Sequence, residues 1–211
     1  MHGLMKQANR AVPSQTRKAM KDAIVAAFDE SIRVKQAFLR DNLDILNKSI
    51  DAVVAAFKSG NKLLLFGNGG SAADAQHIAA EFVNRFRVDR PPLAAIALTT
   101  DSSALTSIAN DYDYSLVFAK QIQALGKPGD IAIAISTSGS SANVVAAVEI
   151  CKQLQIRTIG LTGDRGGKMI GKVDYLLNVG ASNDTARIQE SHILIGHVIC
   201  EMVDAALYPA D

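Results

Sequence analysis

Two residues four apart, His77 and Glu81, stand on a stretch that reads as a helix. That spacing puts an imidazole and a carboxylate on one helix face, about 6 Å apart along the axis, where they can share a proton or a metal ion. The same spacing also describes a plain ion-paired helix face, so the pair takes its meaning from its surroundings. Immediately upstream, Leu63-Leu64-Leu65-Phe66 reads as a buried strand and breaks at Gly67-Asn68-Gly69-Gly70-Ser71. Glycines permit a tight turn there and let the backbone approach a ligand, and Ser71 is a good N-cap for the helix. The segment thus offers an anion cradle at a helix N-terminus and, two turns later, a metal or acid–base pair.

A second group is built of hydroxyls. Ser136, Thr137, Ser138, Ser140 and Ser141 surround Gly139 at a strand end and a helix start. Hydroxyls and free helix N–H groups suit a phosphate monoester, which needs no fixed positive charge. Ser-rich turns are also ordinary helix caps, and the pairing with the 69–71 turn at the same edge is what favours phosphate. Gly67, Gly69 and Ala72 also fit the dinucleotide pattern G-x-G-x-x-G/A, but the acidic residue about 20 positions on is missing. Residues 163–169 fail as a Walker loop, one residue short and with Met169 where a hydroxyl must meet magnesium. On the last helix Gln189, His192 and His197 add polar groups to an apolar surface. Buried polar side chains need partners, so a cluster shared between the two helices is expected.

The elements that must position these groups follow from pattern. Residues 18–59 predict two helices: one with Ile24, Phe28, Ile32 and Leu39 on a face, and one capped at Asp41 and Asn42. In the second, Leu43, Leu46, Ile50, Val53 and Phe57 form a heptad-like seam, and Gly60 suits the C′ position. Covering a sheet face, or covering it and also building a subunit interface, would both use such a seam. Apolar runs at 63–66, 93–98, 131–135, 157–162 and 175–179 predict five strands, with helices near 71–87, 104–109, 114–125, 142–154 and 184–207. The last helix is apolar nearly all round and should be buried on most sides. Alternating strands and helices predict an α/β fold with a parallel sheet covered on both faces, in which ligands bind beyond the carboxyl ends of the strands. The polar loops fall on that edge.

At 211 residues and 48% hydrophobic, the chain has ample material for one domain over 18–211 with an N-terminal helical arm. Residues 1–17 carry Lys6, Arg10 and Arg17 without an acid and read as a disordered tail, with no apolar core of a signal peptide. No stretch is apolar enough for a membrane span, and 22 basic against 21 acidic residues argues against direct nucleic-acid binding. Cys151 and Cys200 lie in apolar helical contexts, which predicts buried thiols in a reducing cytoplasm.

Six segments in order, GNGGSAADAQHIAAEFVNRF, ALTTDSS, SIANDY, ISTSGSSANV, LTGDRGG and ARIQESHILIGH, resemble the phosphoheptose isomerases of the sugar isomerase (SIS) domain family. The resemblance covers about residues 23–207. It implies a five-stranded parallel sheet and a homotetramer with sites between subunits. The implied reaction converts sedoheptulose 7-phosphate to D-glycero-D-manno-heptose 7-phosphate through an enediol, for the ADP-heptose pathway of lipopolysaccharide. It further implies substrate contacts at Asn68, Gly69, Gly70, Ser71, Arg85, Asn110, Asp111, Ser136, Thr137, Ser138, Ser141 and Gln189. His77, Glu81, Gln189 and His197 become zinc ligands, with Glu81 the general base and His197 its acid partner. Arg85 is expected one turn past Glu81 on the same face. Gln189 and His197 are eight residues apart, about 12 Å along a helix, so meeting on one ion demands long reaches or helices from different subunits. A non-catalytic relative, the tetrameric SIS protein that associates with the replication initiator, shares the fold. Glu81 and His197 stand at the positions that separate the two.

Overall fold

The computed structural model describes residues 14–209; most of the tail expected over 1–17 lies outside them, while Ser14 to Arg17 are helical. Five strands, β1 (Leu63–Gly67), β2 (Ala95–Ala97), β3 (Ile131–Ser136), β4 (Arg157–Gly163) and β5 (Tyr175–Val179), form one sheet in the order β2-β1-β3-β4-β5. Every pairing is parallel, with Leu65 opposite Ile133 and Ile133 opposite Ile159 in the centre. The helices are α1 (Ser14–Lys58), α2 (Gly70–Val83), α3 (Ser102–Asp111), α4 (Val117–Leu125), α5 (Ala142–Gln153) and α6 (Thr185–Leu207).

Residues of β1 and β3 are buried throughout, because successive side chains enter opposite cores. Leu63, Leu65, Ile131 and Ile133 meet α1, α2 and α6, whereas Leu64, Phe66, Ala132 and Ala134 meet α4 and α5. This is the expected three-layer α/β sandwich.

The two helices expected over 18–59 are instead one helix of 45 residues, α1. Asp41 and Asn42 cap nothing; the Asn42 amide donates to Phe38 O at 3.0 Å within the helix and reaches Asn178 O of β5 at 3.4 Å. The C-terminal end does stop as expected. Gly60 has φ +74, its N–H donates to Phe57 O at 3.0 Å, and the Asn61 N–H donates to Ala56 O at 3.0 Å. Leu46, Ile50 and Val53 of the seam are buried in the chain's own core, so the seam covers the sheet, and only Leu43 faces out. The unpartnered stripe lies further back. From Gln15 to Asp29 every residue is exposed, including Met20, Ile24, Val25 and Phe28.

Other corrections are local. The strand expected over 93–98 keeps three residues, and the helix expected over 114–125 opens with a 3-10 turn, Tyr114–Leu116. On α6, Leu194 and Met202 remain exposed, so its burial is less complete than its composition suggests. Both cysteines are free and buried, and burial pushes their thiols up to about 12.

His192, on the buried face of α6, is fully enclosed, and its Nε2–H donates to Thr162 O of β4 at 3.0 Å. Burial pushes its imidazole down from 6.5 to about 4, against the weaker opposite pull of that hydrogen bond. Above pH 6.5 the folded and unfolded chains both hold it neutral; as pH falls from 6.5 to 4 only the unfolded chain takes the proton. Stability is therefore lost through that window, by about 1.4 kcal/mol per pH unit and about 3 kcal/mol in all. His192→Gln keeps a donor for Thr162 without titrating. Urea unfolding at pH 7 and pH 4.5 should show a loss smaller by about 2 kcal/mol in this variant than in the parent. Equal losses would show that His192 is not the acid-sensitive group.

Candidate active site

β1 lies between β2 and β3, so the chain leaves β1 toward one side of the sheet and returns on the other. Loops diverging from neighbouring parallel strands leave a crevice at their carboxyl ends. The turn after β1 and the hydroxyl loop after β3 flank it. Gly67 admits no side chain: a Cβ would sit 2.8 Å from Ile135 O and from Ser71 Cβ. Helix α2 begins at Gly70, with Gly69 at φ 56 in the cap position. Ser71 is thus not the N-cap expected; it is 3% exposed inside the first turn.

Asn68 is held by a reciprocal amide pair, its Nδ2 donating to Asn143 Oδ1 at 2.9 Å and its Oδ1 accepting from Asn143 Nδ2 at 2.8 Å. The Tyr114 hydroxyl adds a bond to Asn68 Oδ1 at 3.2 Å. Asn143, buried at the start of α5, ties the two loops across the switch point, and the sequence reading missed it. A lone amide among Val and Ala in a helix start was the only signal.

In the hydroxyl loop Ser136 Oγ and Ser141 Oγ lie 3.0 Å apart, and Ser138 Oγ accepts from the Ser140 N–H at 3.2 Å. Thr137 is half-buried and Ser138 is exposed at the mouth. The loop after β4 braces it from behind. A Cβ on Gly139 would lie 2.1 Å from Gly166 O, and the Met169 N–H donates to Gly139 O at 3.1 Å. The 163–169 stretch that fails as a Walker loop therefore serves as a wall. Asn110 and Asp111 end α3 in its last turn, exposed, with Asn110 Nδ2 donating to Asp111 Oδ1 at 2.9 Å.

The imidazole–carboxylate pair lies where α2 and α6 touch. These helices run side by side in the same sense, with Gln189 beside Gly70 and Gly196 beside Ile78. A Cβ on Gly196 would meet Ile78 Cδ1 at 2.4 Å, so the bare backbone sets the closeness of the contact. One residue on from Gly196 and one back from Ile78, His197 Nε2 and His77 Nε2 are 3.1 Å apart, and His77 Nε2 is 3.2 Å from Glu81 Oε1. The three donors lie within 4.8 Å of one another. An ion bound tetrahedrally with bonds of about 2.0–2.1 Å keeps its ligand atoms about 3.3 Å apart, so two imidazoles and a carboxylate so spaced fit zinc.

Asp74, one turn before His77, was also missed. Burial pushes its carboxyl above the ordinary range, against the pull of His77 and His197, and its Oδ2 is buried without a hydrogen-bond partner. Gln189 is not beside these groups. Its amide lies against Gly70, two turns ahead of His77, where an added Cβ would be 2.6 Å from Nε2. Arg85 departs from expectation too. Helix α2 stops at Val83, so Arg85 is an exposed loop residue and does not share the face of Glu81.

The contact at Gly196 is testable by packing. Ile78→Ala should cost about 2–5 kcal/mol by opening a cavity, and Gly196→Ala about 1–3 kcal/mol by overpacking. The double mutant should lose less than the sum, because the new methyl enters the space vacated. Strict additivity in thermal or urea unfolding would show that the two positions do not meet.

The family described as SIS domain matches residues 28–163. A phosphoheptose isomerase of Thermodesulfovibrio yellowstonii is 53% identical over 189 residues, covering 90% of this chain and 94% of the relative. Phosphoheptose isomerase 2 of Campylobacter jejuni is 56% identical over 183 residues, covering 86% and 90%. Among solved structures, the phosphoheptose isomerase GmhA of Neisseria gonorrhoeae superposes with a TM-score of 0.83 at 44% identity, covering 88% of this chain and 99% of that one.

Proposed function

We propose, for a chain that belongs to the SIS domain family and within it to the phosphoheptose isomerases, that it converts sedoheptulose 7-phosphate to D-glycero-D-manno-heptose 7-phosphate. The product would feed ADP-heptose and lipopolysaccharide synthesis in the cytoplasm. The observation that carries the reading is the meeting of Glu81, His77 and His197 at hydrogen-bond distance, two turns along α2 from the turn after β1. Aldose–ketose isomerisation moves a proton between C1 and C2 through an enediol, so it needs a base for carbon and a group that manages the proton on oxygen. Glu81 takes the carbon proton. His197 donates to the C2 carbonyl oxygen as it becomes a hydroxyl; Glu81 then returns the carbon proton to C2 while His197 accepts the C1 hydroxyl proton from the oxygen that becomes the aldehyde. Zinc, held by His77, Glu81 and His197, would stabilise negative charge on these oxygens.

The phosphate lies far from the reacting carbons, and its binding energy orients them. Ser136, Thr137, Ser138 and Ser141 at the start of α5 receive it. The further substrate contacts in this reading are Asn68, Gly69, Gly70, Ser71, Asn110 and Asp111, with Gln189 beside Gly70. As a fourth zinc ligand, Gln189 would have to come from a neighbouring subunit. Arg85, on its exposed loop, would meet substrate in a neighbour's site. A homotetramer with shared sites is supported by the bare stripe of α1 and by an apolar groove of about 240 Å³ between α1 and α6, lined by Phe38, Leu39, Leu46, Leu194 and Val198. No described helix is long and apolar enough to cross a membrane.

Glu81→Gln and His197→Asn should each lower kcat by about 10²- to 10⁴-fold, with the double mutant little worse, because the pair acts as a unit. Ser138→Ala should chiefly raise KM. Parent-like turnover of sedoheptulose 7-phosphate by both single variants would end this mechanism; sugar-phosphate binding without turnover in the parent would favour the non-catalytic relative instead. Chelation should lower activity and leave the melting temperature nearly unchanged, because the fold has a full core without metal. Light scattering on an eluting peak should give four chains per particle, and a monomer at micromolar concentration would remove the shared-site arrangement.

A further inference from the structure

Once α2 ends at Val83, residues 84–90 do not leave the site but run along α6. Phe86 stacks on His197, with ring centroids 5.5 Å apart and planes at 27°. Arg87 Nη1 pairs with Glu201 Oε1 at 2.7 Å, and Arg90 Nε with Asp204 Oδ1 at 2.7 Å. Positions 197, 201 and 204 are successive turns of one stripe on α6, so the segment clamps that stripe at three points. The Arg87 guanidinium lies over the Phe86 ring, 5.6 Å from its centroid. Arg90 reaches the other way as well, donating to Phe82 O at 2.8 Å and to Glu81 O at 3.0 Å.

We propose that residues 84–90 are a positioning clasp for the proton-transfer pair, with Phe86 fixing the plane of the His197 ring and Arg90 fixing the turn that carries Glu81. The proposal rests on the isomerase reading above. An imidazole on a half-exposed helix face can turn about χ2, and each orientation points Nε2 elsewhere. A flat ring stacked against it at 27°, itself covered by Arg87, leaves the orientation in which Nε2 faces His77. Arg90 does the corresponding service for the backbone. Its fork satisfies two carbonyls at the C-terminal end of α2 and binds the helix of His197 with the same group, so Glu81 and His197 are tied to move together. The side chains of Arg90 and Asp204 are 0% and 2% exposed, so water does not compete for the link.

The test centres on Phe86→Leu, which keeps apolar volume and loses the flat face, with Phe86→Tyr as the conservative restoration. Misplacing a catalytic group by about 1 Å can cost about 10²-fold, so kcat for Phe86→Leu should fall about 10-fold or more while KM is unchanged, and Phe86→Tyr should recover it. Arg90→Lys retains charge without the fork and should follow Phe86→Leu. A second readout does not depend on turnover: the visible absorption of Co²⁺ at His77, Glu81 and His197 should change in Phe86→Leu and return in Phe86→Tyr. Parent-like kcat and cobalt spectrum in Phe86→Leu would overturn the clasp, as would an equal loss in Phe86→Tyr. An altered spectrum in a protein whose parent does not isomerise would keep the clasp and remove the isomerase reading.

Discussion

The close approach of α2 and α6, allowed by the missing side chain at Gly196, is the constraint on which the site depends. Ile78 fills the space that a Cβ would take, and the helices then run in step. His197 comes level with His77, and Gln189 comes level with Gly70. Eight residues on one helix match seven on the other, so two chemistries a turn or two apart are laid out along a single helix pair. At the far end the buried Arg90–Asp204 pair closes the same contact. A buried ion pair adds little net stability over a well-packed apolar pair, but it admits few alternative registers. Its value here is the fixed geometry between the turn of Glu81 and the helix of His197.

The crevice at the sheet edge is organised by a different principle. Its walls are backbone and short polar side chains, and each loop leans on the next. Asn143 joins the turn after β1 to the loop after β3, and Gly139 against Gly166 joins that loop to the one after β4. Donors held this way need no rearrangement to receive an anion.

Much of this was legible in the letters because the physics was local. Leu63 to Phe66 followed by glycines could only be a buried strand and a turn, and Gly60 stopped α1 in the conformation glycine favours. Where the reading failed, a distant partner decided. Asp41 and Asn42 look like caps, yet Asn42 finds β5 and the helix continues through them. Ser71 looks like a cap, but the close approach of Gly67 to β3 pulls the helix start back to Gly70. Arg85 was expected on a helix face because nothing nearby forbids another turn; the chain leaves the helix to reach Glu201 and Asp204, more than a hundred residues on. Asn143 and Asp74 are single polar letters whose importance lies wholly in what they face.

The bare stretch of α1 has a consequence for how the protein behaves as its concentration changes. The fifteen residues from Gln15 to Asp29 are all exposed, with Arg187 reaching only Ala27 O near their end, and a helix of that length is marginal in water by itself. Its Ile24 and Phe28 gain nothing from being helical unless something covers them. When the cover is another copy of the chain, ordering of the arm and association become one equilibrium. Dilution would then fray the first half of α1 while the sheet and its crevice stay folded, so helix content would report on assembly before any loss of the core.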